Sequence, residues 1–166
     1  MRSPRPKASR VTLSVLDRLL DEHPERETER PLGTGESMAA LQRSVQRDLE
    51  LLLNARRPWT LLPKTGFSLA ASPMGYGMID VTANVMSNQE ERDAIRREIE
   101  ATIRRFEPRL INVRVSLLPD NAPLSAVIPL MVEAYLLVDP EPEYVRYDTA
   151  ISPSRENVTL TQQREV

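Results

Sequence analysis

Two opposite charges flank a proline at Glu107-Pro108-Arg109, and the apolar residues Phe106 and Leu110 bracket the three. An unpaired charge out of water is very costly, so a carboxylate and a guanidinium in such a setting must satisfy each other or a partner. The junction therefore reads as a structural clasp or as a docking point. Other reactive chemistry is sparse. Cysteine is absent and His23 is the single histidine, which removes thiolate nucleophiles, disulfides and histidine-rich metal sites. Gly75-Tyr76-Gly77 lacks the spacing and the strand-to-helix context of a phosphate cradle, so its glycines are assigned to turns that need positive φ, and no nucleotide site is expected. Arg56-Arg57 beside Trp59, the one tryptophan, could grip an acidic groove or a base, although a lone Trp is more often a core anchor.

The elements that must position the junction follow from periodicity. A helix from Ser37 to Asn54 carries Met38, Leu41, Val45, Leu49 and Leu52 on one stripe, widened by Leu53, with Arg43, Gln46, Arg47 and Glu50 opposite. Pro58 prevents its continuation, and Arg56 and Arg57 can face its last carbonyls. Residues 61–85 are punctuated by Pro and Gly and read as loops with brief strand pieces such as Gly77 to Val81. Ser87 and Glu90 form a capping box for the next helix, whose stripe is Ile95, Ile99, Ile103 and Phe106 and which Pro108 ends.

From Arg109 to Leu118 the period becomes two, with Ile111, Val113, Val115 and Leu117 on one face and Asn112, Arg114 and Ser116 on the other. Leu124 to Val138 is a second strand, in which Pro129 implies an edge position or a bulge, and Tyr144 to Ile151 is a third. The turns Pro119-Asp120-Asn121 and Pro140-Glu141-Pro142 join them into a meander. The expected class is α+β: two main amphipathic helices packed on a small antiparallel β-meander, plus an N-terminal short helix on a flexible linker. That helix lies within Val11 to Glu22, with Leu13, Leu16, Leu19 and Leu20 at helical spacing, and the Pro- and Glu-containing stretch 22–36 tethers it away from the main body. Leu13, Leu16, Arg18 and Leu19 form a possible partner-docking face; folding back onto the chain's own core is the equal alternative. The expected divisions are a basic arm, helix and linker over 1–36, a domain over 37–151, and a polar, mobile tail over 152–166.

Composition narrows the class. With 40% hydrophobic side chains over 166 residues the chain can bury one ordinary core. A net charge of -2 supplies no global positive field for nucleic acid. Arg2, Arg5, Lys7 and Arg10 precede any acid but read as a solvated arm, and no apolar run is long enough for a signal segment or membrane span, so the cytoplasm is expected.

Three stretches together, Ser44 to Arg57, Tyr76-Gly77-Met78-Ile79-Asp80, and Phe106-Glu107-Pro108-Arg109-Leu110, resemble the TssE family of type VI secretion baseplate subunits, itself similar to the lysozyme-like wedge family of contractile-tailed phages. The resemblance covers about Val11 to Ile151, and the Glu-Pro-Arg step between helix and strand is its specific part. It implies a cytoplasmic, structural component of the baseplate docked at the inner membrane, without cofactor or metal, whose partners are the sheath subunits TssB and TssC and the wedge subunits TssF, TssG and TssK. Glu107, Pro108 and Arg109 become the docking residues, and the sheet from Arg109 to Ile151 becomes the acceptor for a strand lent by the sheath, with Pro129 guarding its edge.

The phage relatives also suggest a peptidoglycan-acting glycoside hydrolase, with Glu107 as general acid and Asp80 or Glu133 as the second carboxylate. Arg109 two residues on disfavours a protonated Glu107, and aromatic platforms for sugars are few, so the reading is no enzyme. A free-standing adaptor module using the leucine helix is the third alternative.

Overall fold

The computed structural model describes residues 14–19, 34–57, 67–79, 89–118, 128–151 and 158–163. Leu13, Leu20, Trp59, Asp80, the Ser87 cap, most of the 22–36 linker and the 119–121 turn lie outside them. Four α-helices, α1 (Val15–Leu19), α2 (Thr34–Asn54), α3 (Phe67–Ala70) and α4 (Gln89–Phe106), precede four strands, β1 (Leu110–Leu117), β2 (Ile128–Leu136), β3 (Glu143–Ile151) and β4 (Thr161–Gln163). The strands form one antiparallel sheet in the order β1-β2-β3-β4.

The two long helices obey the expected physics. α2 begins a turn earlier than Ser37, with Glu36 near its positive end, and buries Leu41, Val45, Leu49, Leu52 and Leu53. α4 carries Glu90 and Glu91 in its first turn and Arg104 and Arg105 in its last, and buries Ile95, Ile99 and Ile103. Both stripes lie over one face of the sheet, made by Leu110, Val113, Val115, Leu130, Val132, Ala134, Leu136, Val145 and Tyr147. Each buried Val, Leu or Ile side chain contributes about 1.5–3 kcal/mol by leaving water. Burial pushes the Tyr147 phenol well above its ordinary range, helped by the nearby Glu107.

Four local expectations are corrected. The strict alternation in β1 fails at its start: pairing with β2 shifts register between Ile111 and Arg114, and Asn112 takes φ 54°. This bulge turns Leu110 and Val113 both inward, three residues apart, and leaves Ile111 only half-buried. Asn tolerates the left-handed region better than the β-branched residues around it. Pro129 is not on an edge strand, because β2 lies between β1 and β3; proline is tolerated as the second residue of the strand, where its carbonyl accepts from Leu118 N. The tail is not wholly polar and mobile, since Val158 and Leu160 are buried and β4 makes a fourth strand. Of the two glycines assigned to positive φ, Gly77 has φ +100°, whereas Gly75 is required for space, a Cβ there lying 2.0 Å from the Ala70 carbonyl oxygen.

The stretch read as loops also holds α3 and a 3₁₀ turn, Pro73–Gly75, and Met78 joins Arg56 in an isolated parallel bridge. Arg57 turns inward rather than toward the helix carbonyls or a partner: its Nη2 lies 2.8 Å from Glu98 Oε1 on α4.

Candidate functional site

Glu107 is the first residue past α4, and its N–H still closes a helical bond to the Ile103 carbonyl at 2.8 Å. Pro108 then turns the chain, Leu110 N returns to the Glu107 carbonyl, and Leu137 N pairs with the Arg109 carbonyl, which starts the β1–β2 ladder. The proline thus aims two neighbouring side chains at one another. Arg109 Nε donates to Glu107 Oε1 at 2.6 Å and Nη2 donates to Glu107 Oε2, a two-pronged contact. The same guanidinium reaches α2, where Nη2 donates to Asp48 Oδ2 at 2.6 Å and Nη1 to Ser44 Oγ at 3.0 Å. Glu107 is 3% exposed, while Pro108 is exposed and the Arg109 side chain retains 22% of its surface. Hydrogen bonding to Glu107, then to Asp48, outweighs desolvation and holds the Arg109 pKa above its already high value.

The network extends to α1. Ser14 caps that helix by accepting from Asp17 N at 3.1 Å and donating to Asp17 Oδ2 at 2.6 Å. Asp17 in turn accepts from Ser44 Oγ at 2.5 Å and from Arg47 Nη2 at 2.6 Å, and lies 4.0 Å from Arg109 Nη1. Burial alone would raise the Asp17 carboxyl; the bonds from Ser14, Ser44 and Arg47 prevail and hold it well below the ordinary carboxylate range. Hence α1 is not tethered away from the body: one acid pins it to α2. Its apolar side faces the other way, with Val15, Leu16 and Leu19 more than half exposed. Leu13 and the Arg18 side chain lie outside the described residues. Sequence reading missed Asp17, Ser44 and Asp48 as members of the cluster. The Ser14-x-x-Asp17 spacing was the available signal for the first.

A second set of contacts was also invisible. On α2, Gln46, Glu50 and Asn54 recur every four residues and bond to the C-terminal backbone. Gln46 Nε2 donates to the Leu160 carbonyl at 2.7 Å, and Glu50 Oε1 accepts from Leu160 N at 2.8 Å. Asn54 both accepts from Val158 N at 2.7 Å and donates to the Val158 carbonyl at 2.8 Å. Helix side chains thus do for residues 158–160 what a neighbouring strand would do.

These bonds bear on the sheet's flanks. Outside β1, α4 meets the backbone directly, as Arg104 Nη2 donates to the Val113 carbonyl at 2.8 Å and Glu100 Oε2 accepts from Val115 N at 3.3 Å. Outside β4, the chain opens onto a groove of about 370 Å³ lined by Ala39, Gln42, Arg43, Gln46, Leu160, Thr161 and Gln162.

The second carboxylate proposed for hydrolysis does not share Glu107's setting. Glu133 sits on β2 with its side chain on the sheet face away from the helices and accepts from Tyr144 Oη at 2.7 Å, whereas both Glu107 oxygens are engaged by Arg109. Asp80 lies outside the described residues.

The family of baseplate wedge protein gp25 matches residues 39–141, which span most of α2, all of α4, the Glu-Pro-Arg junction and β1–β2. This chain belongs to the gp25 baseplate wedge family. As a gp25-family protein it has a structural role in a phage-like baseplate, and the match holds Ser44, Asp48, Glu107 and Arg109 together while leaving Asp17 and the 158–163 segment outside. No curated protein matches the chain. Among the described residues, no helix of this gp25-family chain is long and apolar enough to cross a membrane.

Proposed function

We propose that this chain connects the wedge of a type VI secretion baseplate to the contractile sheath, and that it begins sheath assembly by accepting an extended segment beside β4. The baseplate family supports the first half of the reading, and the groove beside β4 supports the second. On β1 the outward Val113 carbonyl and Val115 N–H are occupied by α4 side chains, so a strand reaching that stretch would have to displace an arginine and a carboxylate. At the other flank the backbone groups of Val158 and Leu160 point away from β3 and are held by Asn54, Gln46 and Glu50 of α2. By the alternation of a strand those of Gln162 point the same way, into the groove. An added strand there gains main-chain bonds at Gln162, and Arg43 in the groove wall meets its side chains. Sheath subunits TssB and TssC are the partners on this side and TssF, TssG and TssK those on the wedge side.

The Glu107-Pro108-Arg109 clasp serves this function by fixing α4, β1 and α2 relative to one another, so that groove and sheet keep one geometry. Pro108 and the exposed part of Arg109 remain available to a docking subunit at the cytoplasmic baseplate. The test is Gln162→Pro, which removes one outward N–H from an edge strand that tolerates proline. Sheath polymerisation on purified baseplates should be lost while the unfolding midpoint of the free chain stays put. Undiminished polymerisation would overturn the assignment of this edge.

A further inference from the structure

The orientation of α1 is the reverse of a helix that completes its own core. Such a helix turns its apolar side inward; here the single acid is used inward, on Ser44 and Arg47, and Val15, Leu16 and Leu19 are 73%, 57% and 75% exposed. Five residues are far too few to hold a helix in water unaided. The Ser14 cap and the Asp17 bonds therefore fix a posture whose visible product is an outward apolar face. Leu51, 57% exposed, lies one turn beyond Arg47 and Asp48 on the same flank of α2. Exposed apolar side chains gathered on one helix face mark an interaction site.

We propose that Val15, Leu16 and Leu19 seat in an apolar groove with an acidic rim on a neighbouring wedge subunit, the Asp17 network presenting the helix ready-made. The charge pattern around α1 identifies that rim. Arg2, Arg5, Lys7 and Arg10 precede α1 with no acid before Asp17, while the stretch after it is net acidic, with Asp21, Glu22, Glu25, Glu27 and Glu29 against Arg26 and Arg30. A partner that is acidic where the N-terminal side of α1 lands is complementary to this arrangement. An anionic membrane is a poorer match, because the sequence after α1 is net acidic and three apolar residues give little area to bury. This inference rests on the baseplate reading above, which supplies the neighbouring subunit, and it concerns the wedge side rather than the sheath side.

The test compares the full chain with its Leu16→Asp, Leu19→Asp double variant, using the other wedge subunits of the same baseplate, co-expressed and purified, as the probe. The variant should bind them at least about tenfold more weakly with the unfolding midpoint of the free chain unchanged, and 0.5 M salt should weaken the wild type by a similar factor, a concentration of roughly several times physiological at which exposed charges are screened. Neither protein should float with phosphatidylethanolamine–phosphatidylglycerol vesicles. Equal affinity of variant and wild type overturns the inference. So does a midpoint that falls by several degrees in the free variant, since the face would then be covered by the chain itself, and so does wild-type flotation lost in the variant, which would assign the face to lipid. A wild-type chain that binds no wedge subunit would sink the baseplate connector reading along with it, whereas loss confined to the Gln162→Pro sheath assay would leave this inference standing.

Discussion

α2 grips the rest of the chain on both sides of its buried stripe, and the two grips differ in kind. On one flank Ser44 and Asp48 hold the Arg109 guanidinium, and through Ser44 and Arg47 the helix holds Asp17. On the other, Gln46, Glu50 and Asn54 hold backbone groups of Val158 and Leu160. The first grip pairs charges in a place where Glu107 has lost its water; the second gives a strand-like segment the donors and acceptors that a neighbouring strand would supply. A buried pair tolerates no loss of one partner, because the remaining charge cannot be rehydrated in place. A side-chain ladder on backbone can lose one rung and keep the others.

That difference sets the order of expected effects. Arg109→Ala strands Glu107 and should lower stability by about 3–5 kcal/mol in urea unfolding, and Arg109→Lys should recover only part of it, because an ammonium cannot make the two-pronged contact. Equal stability of the lysine variant and wild type would show that charge alone, not the fork, holds the junction. Glu50→Ala leaves Leu160 N without its acceptor and should cost about 1–3 kcal/mol, with amide exchange at Leu160 accelerating before exchange in β1 or β2. If exchange in all strands accelerated together, the second grip would be as global as the first.

Asp17→Asn should release α1 with a loss of about 1 kcal/mol, read as faster exchange over residues 15–19 and unchanged exchange in α4. The pH dependence has a definite sign. The folded carboxyl titrates below the unfolded one, so its contribution is complete above the unfolded value of about 3.9 and fades as pH falls below that toward the folded value. α1 should therefore remain docked at mildly acidic pH, and undocking on acidification from neutral to roughly pH 5, more than a unit above that unfolded value, would contradict the network. Smallest of all, Arg146→Ala breaks a solvent-facing pair with Asp148 on the outer sheet face and should leave the unfolding midpoint where it was.

Much of the fold is legible in the chain because its causes are local. The stripes of α2 and α4, the stop at Pro108, and the turn between β2 and β3 follow from spacing, missing donors and restricted backbone angles. Glu107 and Arg109 stand out for the same reason: two charges, one proline, apolar neighbours. The bulge at Asn112 is harder to read, since one residue in the left-handed region reverses the parity of everything before it and no periodicity announces it. The C-terminal strand is harder still. Thr161–Gln163 is short and polar, and what fixes it is Leu160 in the core and three side chains more than a hundred residues earlier.

By itself the sequence determined the two long helices with their apolar stripes, the first three strands, and that a charged hinge joins α4 to β1, because each depends on residues within a few positions of one another. Only the tertiary structure decided that Arg109 is answered by Asp48 and Ser44 as well as Glu107, that α1 turns its acid inward and its leucines outward, and that polar residues of α2 close one stretch of the sheet's flank. Those choices depend on how close packed elements bring groups that are distant in the chain, and a charge or backbone amide takes whichever partner that packing places within hydrogen-bond reach.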